Sequence, residues 1–524
     1  MQSRAEGPGF DVCDVLVVGG GINGTGIARD LSGRGLSVVL CEQADLASAT
    51  SQWSTKLIHG GLRYLEYYEF MLVRKSLQER EVLMRCAPHL IRPLRFVMPH
   101  NPHMRPAWMI RLGLFLYDHL ARRNYLPGSN GLNLRADPVG RPLAEQFTKG
   151  FAYSDGFVDD ARLVIINAMD ARERGARILP YTRCEAARAI DGSWSARLVP
   201  TRGPAIELKA RLIVNAAGPW ADRFIAQSLD QPEMGKLRLI KGSHIVVPKI
   251  FDHDHAYIFQ NDDARIIFAI PYQDDYTLIG TTEVEFDGNP GEVNIEADEI
   301  TYLCNQANRY FKQQLAPEDV VWTYSGVRPL LHDDAHSAAA VTRDYRLELS
   351  HPGAPLLTVW GGKLTTYRKL AEEVAESLCR ELGVAAGDWT AAAPLPGGDL
   401  QAAGALVDHP MNAMQALREK VATACPRQSS RWVARVCSAY GQRVWRWLGA
   451  DGRGELGREL APGLFEAELN YLIDQEWARS AADVLWRRTK LGLHYTPAER
   501  QSVEEWMRTR DACNEETSDE PGLT

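Results

Sequence analysis

A strand–glycine–helix unit near the start of the chain restricts the fold more than any other stretch of the sequence. The apolar run Val15–Val18 suits a buried parallel strand, and a G-x-G-x-x-G pattern follows it. The first glycine permits a tight turn, the second lets backbone approach a pyrophosphate, and the third lets the helix pack on the strand. The helix that begins near Ile22 would direct its unpaired N–H groups at the phosphates. The glycines of this pattern are Gly19, Gly21 and Gly24.

A second strand, Leu36–Cys41, ends at an acidic residue, Glu42. A carboxylate at this position accepts hydrogen bonds from the hydroxyl groups of an adenosine ribose. The strands, the glycines, the helix and the acid therefore predict a dinucleotide site in an α/β fold. A glycine-rich turn in an ordinary α/β protein would not explain Glu42. This unit alone does not separate NAD from FAD.

The composition argues against several classes of protein. The chain has 524 residues, enough for about two to four domains, and its net charge of −8 gives no basic field for nucleic acid. The nine cysteines lack C-x-x-C spacing, which favours reduced thiols in a cytosolic compartment over disulfides or a zinc site, and we expect no metal. No stretch approaches the roughly 18 apolar residues of a membrane span, and the N-terminus lacks the apolar core of a signal peptide.

A loop rich in serine and threonine follows the acid and closes on the sequence H-G-G-L-R-Y, which starts at His59. Small hydroxyl groups at Ser54 and Thr55 could bond phosphates or the edge of a flavin ring. The paired glycines that start at Gly60 let backbone lie against a flat ring. The alternative is a polar loop with a helix cap at Ser54 or Thr55.

Two later segments have the features of cofactor-binding turns. The hydrophobic strand of residues 211–220 ends in N-A-A-G-P-W, and its small residues would let it return beside the first glycine turn. Asn215, Ala217 and Gly218 are therefore second-contact candidates; the alternative is a strand followed by a Gly-Pro turn. The strand of residues 356–360 precedes G-G-K-L-T-T-Y, a junction whose N–H groups would stabilise negative charge on a reduced flavin. Lys363 would add positive charge there.

The region Leu237–Glu285 contains short β-rich runs bounded by Asp, Asn, Gly and Pro. It predicts an antiparallel sheet, inserted in the α/β frame as a substrate platform. His244 lies in the first of these strands, where a histidine is more often structural than catalytic. Arg328 follows a glycine in a later strand and is suited to clamp a phosphate or carboxylate, with a surface salt bridge as the alternative.

The segment Ala107–Arg123 is almost continuously apolar and is flanked by arginines. This pattern fits either a buried helix or a helix at a membrane surface, where Leu114, Phe115 and Leu116 would enter the headgroup layer. From residue 391 onward, after a linker at Pro394–Asp399, the pattern is almost wholly helical. We expect a structural or interaction role for this C-terminal region.

Together, these pieces resemble the FAD-dependent, membrane-associated (aerobic) glycerol-3-phosphate dehydrogenases of bacterial type. The matching stretches run in the same order over nearly the whole chain, which is far more specific than a glycine motif. They are GGGINGTGIARD, STKLIHGGLRYLEYYEF, RPAWMIRLGLFLYDHL, YSDGFVDDARLV, NAAGPW, LIKGSHIVVP, WTYSGVRPL, GGKLTTYRKLAE and DVLWRRTK.

The resemblance implies an α/β protein with a Rossmann-like FAD-binding domain of the D-amino-acid-oxidase type, an antiparallel-sheet substrate domain and a helical C-terminal domain. We assign residues 10–75, 151–236 and 322–390 to the FAD-binding domain, 76–150 and 237–321 to the substrate domain, and 391–524 to the C-terminal domain. The expected FAD contacts are Gly19, Gly21, Gly24, Glu42, Ser54, Thr55, His59, Gly60, Ala217, Gly218, Gly362, Lys363, Leu364 and Thr365.

The implied reaction is oxidation of sn-glycerol 3-phosphate to dihydroxyacetone phosphate by hydride transfer to FAD, with electrons passed to ubiquinone. A dianionic phosphate requires cationic groups, which the family motifs supply. Because arginine stays protonated, His244 is the better proton acceptor, and we expect His244 and Arg328 to be catalytic. The expected substrate-binding residues are Arg63, Tyr64, His244, Arg328, Lys363 and Thr366.

The expected partners are glycerol 3-phosphate, ubiquinone and anionic membrane lipid, with no nucleic acid; the oligomeric state stays open, with a homodimer as one candidate. We expect peripheral attachment to the cytoplasmic face of the inner membrane, with part of the protein cytoplasmic. The nearest alternative is a glycerol-3-phosphate oxidase that passes electrons to oxygen and forms hydrogen peroxide. A nucleic-acid-binding flavoprotein and a non-catalytic FAD-binding protein are more distant alternatives.

Overall fold

The predicted strand–glycine–helix unit lies at the centre of a parallel sheet. The computed structural model of the chain describes residues 11–101, 105–263, 265–331, 344–400, 409–449, 452 and 454–518, with side chains up to residue 510. The chain divides into two compact units. One comprises Met1–Cys86 and Ile91–Ala393, and the other comprises Ala87–Leu90 and Pro394–Thr524.

The described residues form strands and α-helices in the following order. The strands are β1 Asp11–Val18, β2 Val38–Cys41, β3 Leu57–Ile58, β4 Ile91–Pro99, β5 Asn130–Asn133, β6 Lys149–Val158, β7 Arg177–Leu179, β8 Thr182–Ile190, β9 Ser193–Pro200, β10 Ile206–Asn215, β11 Leu237–Pro248, β12 Ala256–Gln260, β13 Ile266–Tyr272, β14 Tyr276–Gly280, β15 Val284–Glu285, β16 Trp322–Leu331, β17 Tyr345–Ser350, β18 Leu356–Gly361, β19 Glu459–Ala461 and β20 Leu464–Phe465. The helices are α1 Ile22–Gly33, α2 Phe70–Cys86, α3 Ala107–His119, α4 Asp160–Glu173, α5 Ala221–Ser228, α6 Ala297–Asn308, α7 Tyr367–Leu382, α8 Pro410–Ala424, α9 Ser430–Tyr440, α10 Trp445–Leu448, α11 Glu466–Glu476 and α12 Pro497–Ser518.

The first sheet is built around β1. Its parallel core has the order β18–β10–β1–β2–β7, while β17 and the β8–β9 hairpin add antiparallel strands. Val15, Leu16 and Val17 are fully buried, as expected for a parallel strand covered on both faces. Helix α1 packs against α4 and α7. A separate apolar cluster that contains Trp194 and Trp360 covers the side of the sheet that carries Leu16.

The second sheet is largely antiparallel. Strands β11, β14, β13 and β12 are successive neighbours, and β12 extends the sheet by pairing in parallel with β4. On its other side, β11 pairs with β16 along its length. Leu237 lies opposite Leu331 at one end, and Val246 lies opposite Trp322 at the other. Phe259, Tyr310 and Phe311 belong to the apolar core beneath this sheet. The predicted combination of a dinucleotide-binding sheet with an antiparallel sheet is therefore confirmed.

Three strands of the second sheet lie wholly or mostly within the segments that the sequence assigned to the FAD-binding domain. They are β3, β6 and β16, which pair with β6, β4 and β11, respectively. The hydrophobicity of a strand does not identify its neighbours, and the domain boundaries at residues 75, 151 and 322 stay a prediction. Residue 10 and parts of the segment 391–524 lie outside the described residues.

The second unit is mainly helical, as predicted, and also contains the short β19–β20 hairpin. A buried ion pair joins two of its helices: the guanidinium of Arg435 donates to both carboxylate oxygens of Glu468, at 2.5 and 2.8 Å. The hydroxyl group of Tyr440 donates to the same carboxylate at 2.7 Å. These bonds satisfy a buried carboxylate that would otherwise destabilise the unit.

Helix α3 has an exposed apolar face. Its exposed apolar residues include Trp108, Leu112, Phe115 and Leu116. Leu114 is fully buried, so the prediction that this residue enters a headgroup layer is wrong. Leu114 lies three positions before the buried Tyr117, on the opposite face of the helix from Leu112. Among the described residues, we find no helix with the length and apolar character needed to traverse a bilayer.

Candidate active site

The turn after β1 has no space for side chains at two of its glycines. Gly19 has a φ of +116°, and a Cβ atom there would lie 2.4 Å from the Ala216 carbonyl oxygen. A Cβ atom on Gly24 would lie 1.9 Å from the Gly19 carbonyl oxygen. The end of β10 therefore returns beside the first glycine turn, as predicted. The bare backbone of this turn suits close approach to a pyrophosphate.

Backbone N–H groups hold the Glu42 carboxylate in place directly after β2. Its Oε2 accepts a hydrogen bond from Gly20 at 2.7 Å, and its Oε1 accepts one from Ala44 at 2.9 Å. Burial raises the pKa of this carboxyl group, and the two N–H donors act in the opposite direction. Each oxygen keeps a lone pair with which it can accept a ribose hydroxyl.

Ser51 is a site residue that sequence reasoning missed. Its Oγ accepts a hydrogen bond from the N–H of Ile22, the first residue of α1, at 3.0 Å. The only signal in the sequence is the serine- and threonine-rich loop, in which we selected Ser54 and Thr55. The Ser54 hydroxyl instead donates to Asp160 at 2.7 Å, and its cofactor contact stays a prediction.

The two predicted glycine loops of the site meet at the backbone of His59. The Lys363 ammonium donates to the His59 carbonyl oxygen at 2.7 Å, and the Thr365 hydroxyl accepts a hydrogen bond from the His59 N–H at 3.2 Å. Lys363 Nζ also lies 5.1 Å from the centre of the Tyr64 ring. The structure therefore brings His59, Tyr64, Lys363 and Thr365 together. Gly362, which precedes Lys363, has a φ of +113°.

Other predicted site residues support the turns themselves. Asn215 is buried, and its amide donates to the Ala221 carbonyl while its Oδ1 accepts from the Ala217 N–H. Gly218 begins the short 3₁₀ turn that leads into α5, and Leu364 begins the one that leads into α7. Thr366 is buried, and its hydroxyl donates to the Lys363 carbonyl at 3.4 Å, so its substrate contact stays a prediction.

His244 lies on β11, fully buried, with its imidazole stacked on Tyr324 at a centroid distance of 4.7 Å. Its Nε2 is 2.9 Å from the Thr55 hydroxyl. Burial lowers the pKa of this imidazole well below 6.5, and the charges of Arg328 and Lys56 lower it further. The ring is therefore neutral near pH 7, with a nitrogen that can accept a proton.

Arg328 lies on β16, next to the strand that carries His244. Its Nη2 donates to the Thr281 hydroxyl at 2.9 Å, and its Nη1 is 3.8 Å from the Glu283 carboxylate. Arg63 lies on the 3₁₀ helix of residues 62–67 and its Nη2 donates to the Tyr67 hydroxyl at 3.4 Å. The sequence did not predict that Glu283 would lie beside Arg328.

A buried ion pair, also missed, supports the loop beneath His244. The Lys56 ammonium lies 2.8 Å from Asp160 and 5.2 Å from the centre of the Tyr324 ring. Both charged side chains are almost fully buried. The two residues lie in separate motifs, 104 positions apart in sequence, so only the folded chain reveals their contact.

The residues of this site fit an FAD molecule. Among the described residues, Asn23 Oδ1 and His244 Nδ1 are buried polar atoms without a protein partner. Asn23 is the second residue of α1, and its amide nitrogen donates to the Gly361 carbonyl at 3.3 Å. Unpaired buried polar atoms are costly unless a ligand or water pairs with them. These two unpaired atoms lie in the same site as the glycine turn, the Glu42 carboxylate for a ribose and Lys363 at the second glycine junction. This set of groups suits FAD.

Comparison with known proteins agrees with this assignment. Residues 14–368 match the family model described as FAD dependent oxidoreductase, and residues 389–510 match the C-terminal domain of alpha-glycerophosphate oxidase. A glycerol-3-phosphate dehydrogenase of Pseudomonas aeruginosa is 50% identical over 96% of this chain and 96% of its own. A D-erythritol 1-phosphate dehydrogenase of Brucella abortus is 49% identical over 95% of this chain and 98% of its own.

The fold agrees with a solved structure as well. The X-ray structure of the glycerol-3-phosphate dehydrogenase from Bacillus halodurans complexed with FAD has a TM-score of 0.72 and 28% sequence identity, and covers 95% of this chain and 94% of that one. The glycine turn, the placement of Glu42 and these full-length matches have one explanation: the chain belongs to the family of FAD-dependent glycerol-3-phosphate dehydrogenases.

Proposed function

We propose that this protein oxidises sn-glycerol 3-phosphate to dihydroxyacetone phosphate and passes the electrons to a membrane quinone. The observation that carries the proposal is the pairing of a buried, neutral imidazole with an arginine on the adjacent strand. His244 and Arg328 are close enough for the arginine charge to lower the pKa of the imidazole. A secondary alcohol with a neighbouring phosphate needs these two groups: a proton acceptor and a cation.

Each residue then has one task. His244 accepts the proton of the C2 hydroxyl, and Thr55 fixes the orientation of its ring through the bond to Nε2. Arg328 holds the phosphate, helped by Lys363 and Arg63. Thr281 keeps the Arg328 guanidinium in place before substrate binds. FAD, when bound, supplies the hydride acceptor.

The proposed electron acceptor is a quinone because the first unit presents an apolar, basic surface. We define the α3 surface as the outward residues Trp108, Leu112 and Phe115, which are 66%, 50% and 51% exposed. Contiguous exposed apolar surface of this kind marks a site for a membrane or a partner. The exposed Arg105, Arg111 and Arg122 flank it and suit anionic lipid. Peripheral attachment to the cytoplasmic face of the inner membrane follows as part of the proposal.

The second candidate is a glycerol-3-phosphate oxidase that reduces oxygen to hydrogen peroxide. It is favoured by the match of residues 389–510 to the C-terminal domain of alpha-glycerophosphate oxidase. Both candidates share the first half of the reaction and differ only in the electron acceptor. The exposed α3 surface favours the quinone, since oxygen needs no docking surface.

The test is anaerobic reduction of the purified flavoprotein. Glycerol 3-phosphate should abolish the absorption bands of oxidised flavin, while lactate and D-amino acids should leave them unchanged. D-erythritol 1-phosphate is a further substrate to compare because of the Brucella abortus relative, and faster reduction by it would reassign the substrate. Absence of reduction by either polyol phosphate would refute the proposal.

The acceptor is tested by reoxidation of the reduced protein. A ubiquinone analogue in anionic lipid vesicles should reoxidise the flavin much faster than dissolved oxygen does. Faster reoxidation by oxygen, with stoichiometric hydrogen peroxide, would establish the oxidase instead. Anion-free vesicles provide the control for the contribution of lipid charge.

A further inference from the structure

Tyr117 connects helix α3 to the loop that carries His59. Its side chain is only 2% exposed and points away from the α3 surface. Its hydroxyl oxygen lies 2.8 Å from the Gly60 nitrogen and 2.8 and 2.9 Å from the two carboxylate oxygens of Asp155. An ionised carboxylate can only accept, so the Tyr117 O–H donates to Asp155 and its oxygen accepts from the Gly60 N–H.

The buried Arg80 determines which groups donate in this contact. Arg80 donates to Asp155 at 2.7 Å and to the Ser154 carbonyl oxygen at 3.0 Å. Both Arg80 and Asp155 are buried, which makes the bond from a neutral hydroxyl to the carboxylate short and directional. The orientation of the Tyr117 hydroxyl is therefore determined by a buried ion pair and not by solvent.

The Gly60 N–H belongs to the same planar peptide group as the His59 carbonyl. That carbonyl accepts a hydrogen bond from the Lys363 ammonium at 2.7 Å. In a trans peptide the N–H and the C=O point in opposite directions and cannot turn independently. The hydroxyl of Tyr117 and the ammonium of Lys363 thus hold the two sides of one rigid group.

Gly60 lies so close to Leu77 and Tyr117 that there is no space for a side chain at this position. A Cβ atom at residue 60 would lie 2.6 Å from the Leu77 side chain and 2.7 Å from the Tyr117 hydroxyl oxygen. The second residue of the H-G-G-L-R-Y sequence therefore must be glycine for the peptide to reach Tyr117.

We propose that Tyr117 is a positioning residue for the oxidation reaction: by fixing the His59–Gly60 peptide it orients Lys363 toward the substrate phosphate. The proposal rests on the proposed function, in which Lys363 helps to hold that phosphate. In this role Tyr117 acts through the His59–Gly60 peptide and Lys363. Asp155 and Arg80 hold the Tyr117 hydroxyl in place, and Asp155 Oδ1 also lies 3.5 Å from the Gly60 nitrogen.

The first test is the variant Tyr117→Phe, which removes the hydroxyl and leaves the ring. The KM for glycerol 3-phosphate should rise by roughly three- to ten-fold, and kcat should change by less than about two-fold, because the phosphate is held equally before and during the reaction. Turnover of glycerol, which lacks the phosphate, should not change. Equal loss on both substrates would show a general effect on the fold and overturn the proposal.

Tyr257→Phe is the matched control. Tyr257 is also fully buried, and its hydroxyl lies 2.8 Å from His253 Nε2 and 2.5 Å from the Val139 carbonyl oxygen, in the second sheet. Its loss should cost comparable stability and leave the KM unchanged. A rise in KM as large as that of Tyr117→Phe would overturn the positioning role.

A double-mutant cycle tests whether Tyr117 acts through Lys363. In a Lys363→Met background, Tyr117→Phe should have no further effect on the KM, whereas independent roles would give multiplied effects. If Tyr117→Phe does not fold, the same cycle is run with Asp155→Asn, which keeps the tyrosine and weakens its charged acceptor; an unchanged KM would overturn the proposal. Wild-type protein is assayed first, so that failure to oxidise glycerol 3-phosphate refutes the proposed function and not the role of Tyr117.

Discussion

At the scale of single residues, burial determines what His244 can do. Burial and two nearby cations lower the pKa of its imidazole well below 6.5. The unfolded chain would take up a proton on this residue near pH 6.5, and the folded chain only at lower pH. The contribution of neutral His244 to stability is therefore complete above pH 6.5 and is lost as the pH falls toward the pKa of the folded state.

The variant His244→Asn should lower kcat by roughly a hundred-fold or more, the usual contribution of a positioned base. In the wild type, the acid limb of the kcat/KM profile should lie below pH 6.5, and in the variant it should disappear. A pH profile from about 4.5 to about 9 with saturating electron acceptor, a range that brackets the ordinary histidine pKa of roughly 6.5, measures both. His253→Asn is the matched control, and an unchanged acid limb in His244→Asn would exclude this residue as the base.

The variant Arg328→Lys should not behave as a conservative change. A planar guanidinium that binds phosphate with two bonds becomes a point charge, and kcat/KM for glycerol 3-phosphate should fall roughly ten- to a hundred-fold. Oxidation of glycerol should change much less, because that substrate lacks the phosphate. Steady-state kinetics on both substrates decides the matter, and equal losses would indicate a change in fold or in flavin binding.

The sequence could place residues whose contacts lie within one strand–turn–helix unit. Gly19, Gly24 and Glu42 were predicted because their spacing along one strand–turn–helix unit encodes their contacts. Lys56 and Tyr117 were not, because their partners Asp160 and Asp155 lie in distant segments. A contact between distant segments depends on sheet pairing, which the local pattern does not contain.

At the scale of elements, α3 shows why an apolar run is ambiguous. Its hydrophobicity was compatible both with core, the default interpretation, and with a membrane surface, and the structure divides the two faces. Leu114 and Tyr117 face the first unit, while Trp108, Leu112 and Phe115 face outward. The sequence indicated the helix over residues 107–123 and the structure ends it at His119. The sequence could not predict which residues face outward, because that depends on the elements against which the helix packs.

The triple variant Trp108→Ser, Leu112→Ser and Phe115→Ser should move the protein from the membrane to the soluble fraction. Under the proposed attachment, these side chains supply apolar area at the headgroup boundary, and the flanking arginines supply about 1 kcal/mol each, a contribution that salt screens. Sedimentation with anionic vesicles at low and high salt measures binding. Quinone-coupled turnover should fall while reduction of a small artificial acceptor persists.

Two controls distinguish a surface effect from a folding effect. Ile190→Ser and Val321→Ser remove comparably exposed apolar side chains elsewhere and should leave vesicle binding unchanged. Leu114→Ala should instead destabilise the protein by about 2–5 kcal/mol in urea unfolding, as expected for a fully buried leucine. Unfolding of the triple variant, or a wild type that stays soluble at low salt, would contradict the assignment of the α3 surface.

At the scale of the whole molecule, the fold class followed from the sequence because its strongest signal is a complete supersecondary unit. The α/β sheet, the antiparallel sheet and the helical C-terminal unit are all confirmed. The assignment of β3, β6 and β16 to the second sheet was not predictable, since it depends on which strands become neighbours. The role of the second unit stays a prediction.

The purified protein should contain FAD. The narrow glycine turn and the buried Glu42 suit a dinucleotide with a ribose, so acid or heat should release FAD and not FMN. Chromatography of the released flavin against both standards provides the measurement. Glu42→Ala should bind FAD more weakly, with Glu185→Ala, an exposed carboxylate of the same sheet, as the control. A colourless protein that binds neither added FAD nor added FMN would contradict the assignment of a flavin site.

Under the proposed roles of His244 and Arg328, the pairing of β11 with β16 also limits the length of substrate that both residues can reach. His244 pairs with Tyr324, and Arg328 pairs with Ile240, so four residues, or roughly 13 Å of strand, separate the two positions on one ribbon. A slip of one residue would turn every side chain of a strand to the opposite face, so this distance cannot be adjusted gradually. A substrate held by both residues must therefore keep a fixed interval between the reacting hydroxyl and the phosphate, and any extra carbons of a polyol phosphate have to lie beyond the reacting carbon.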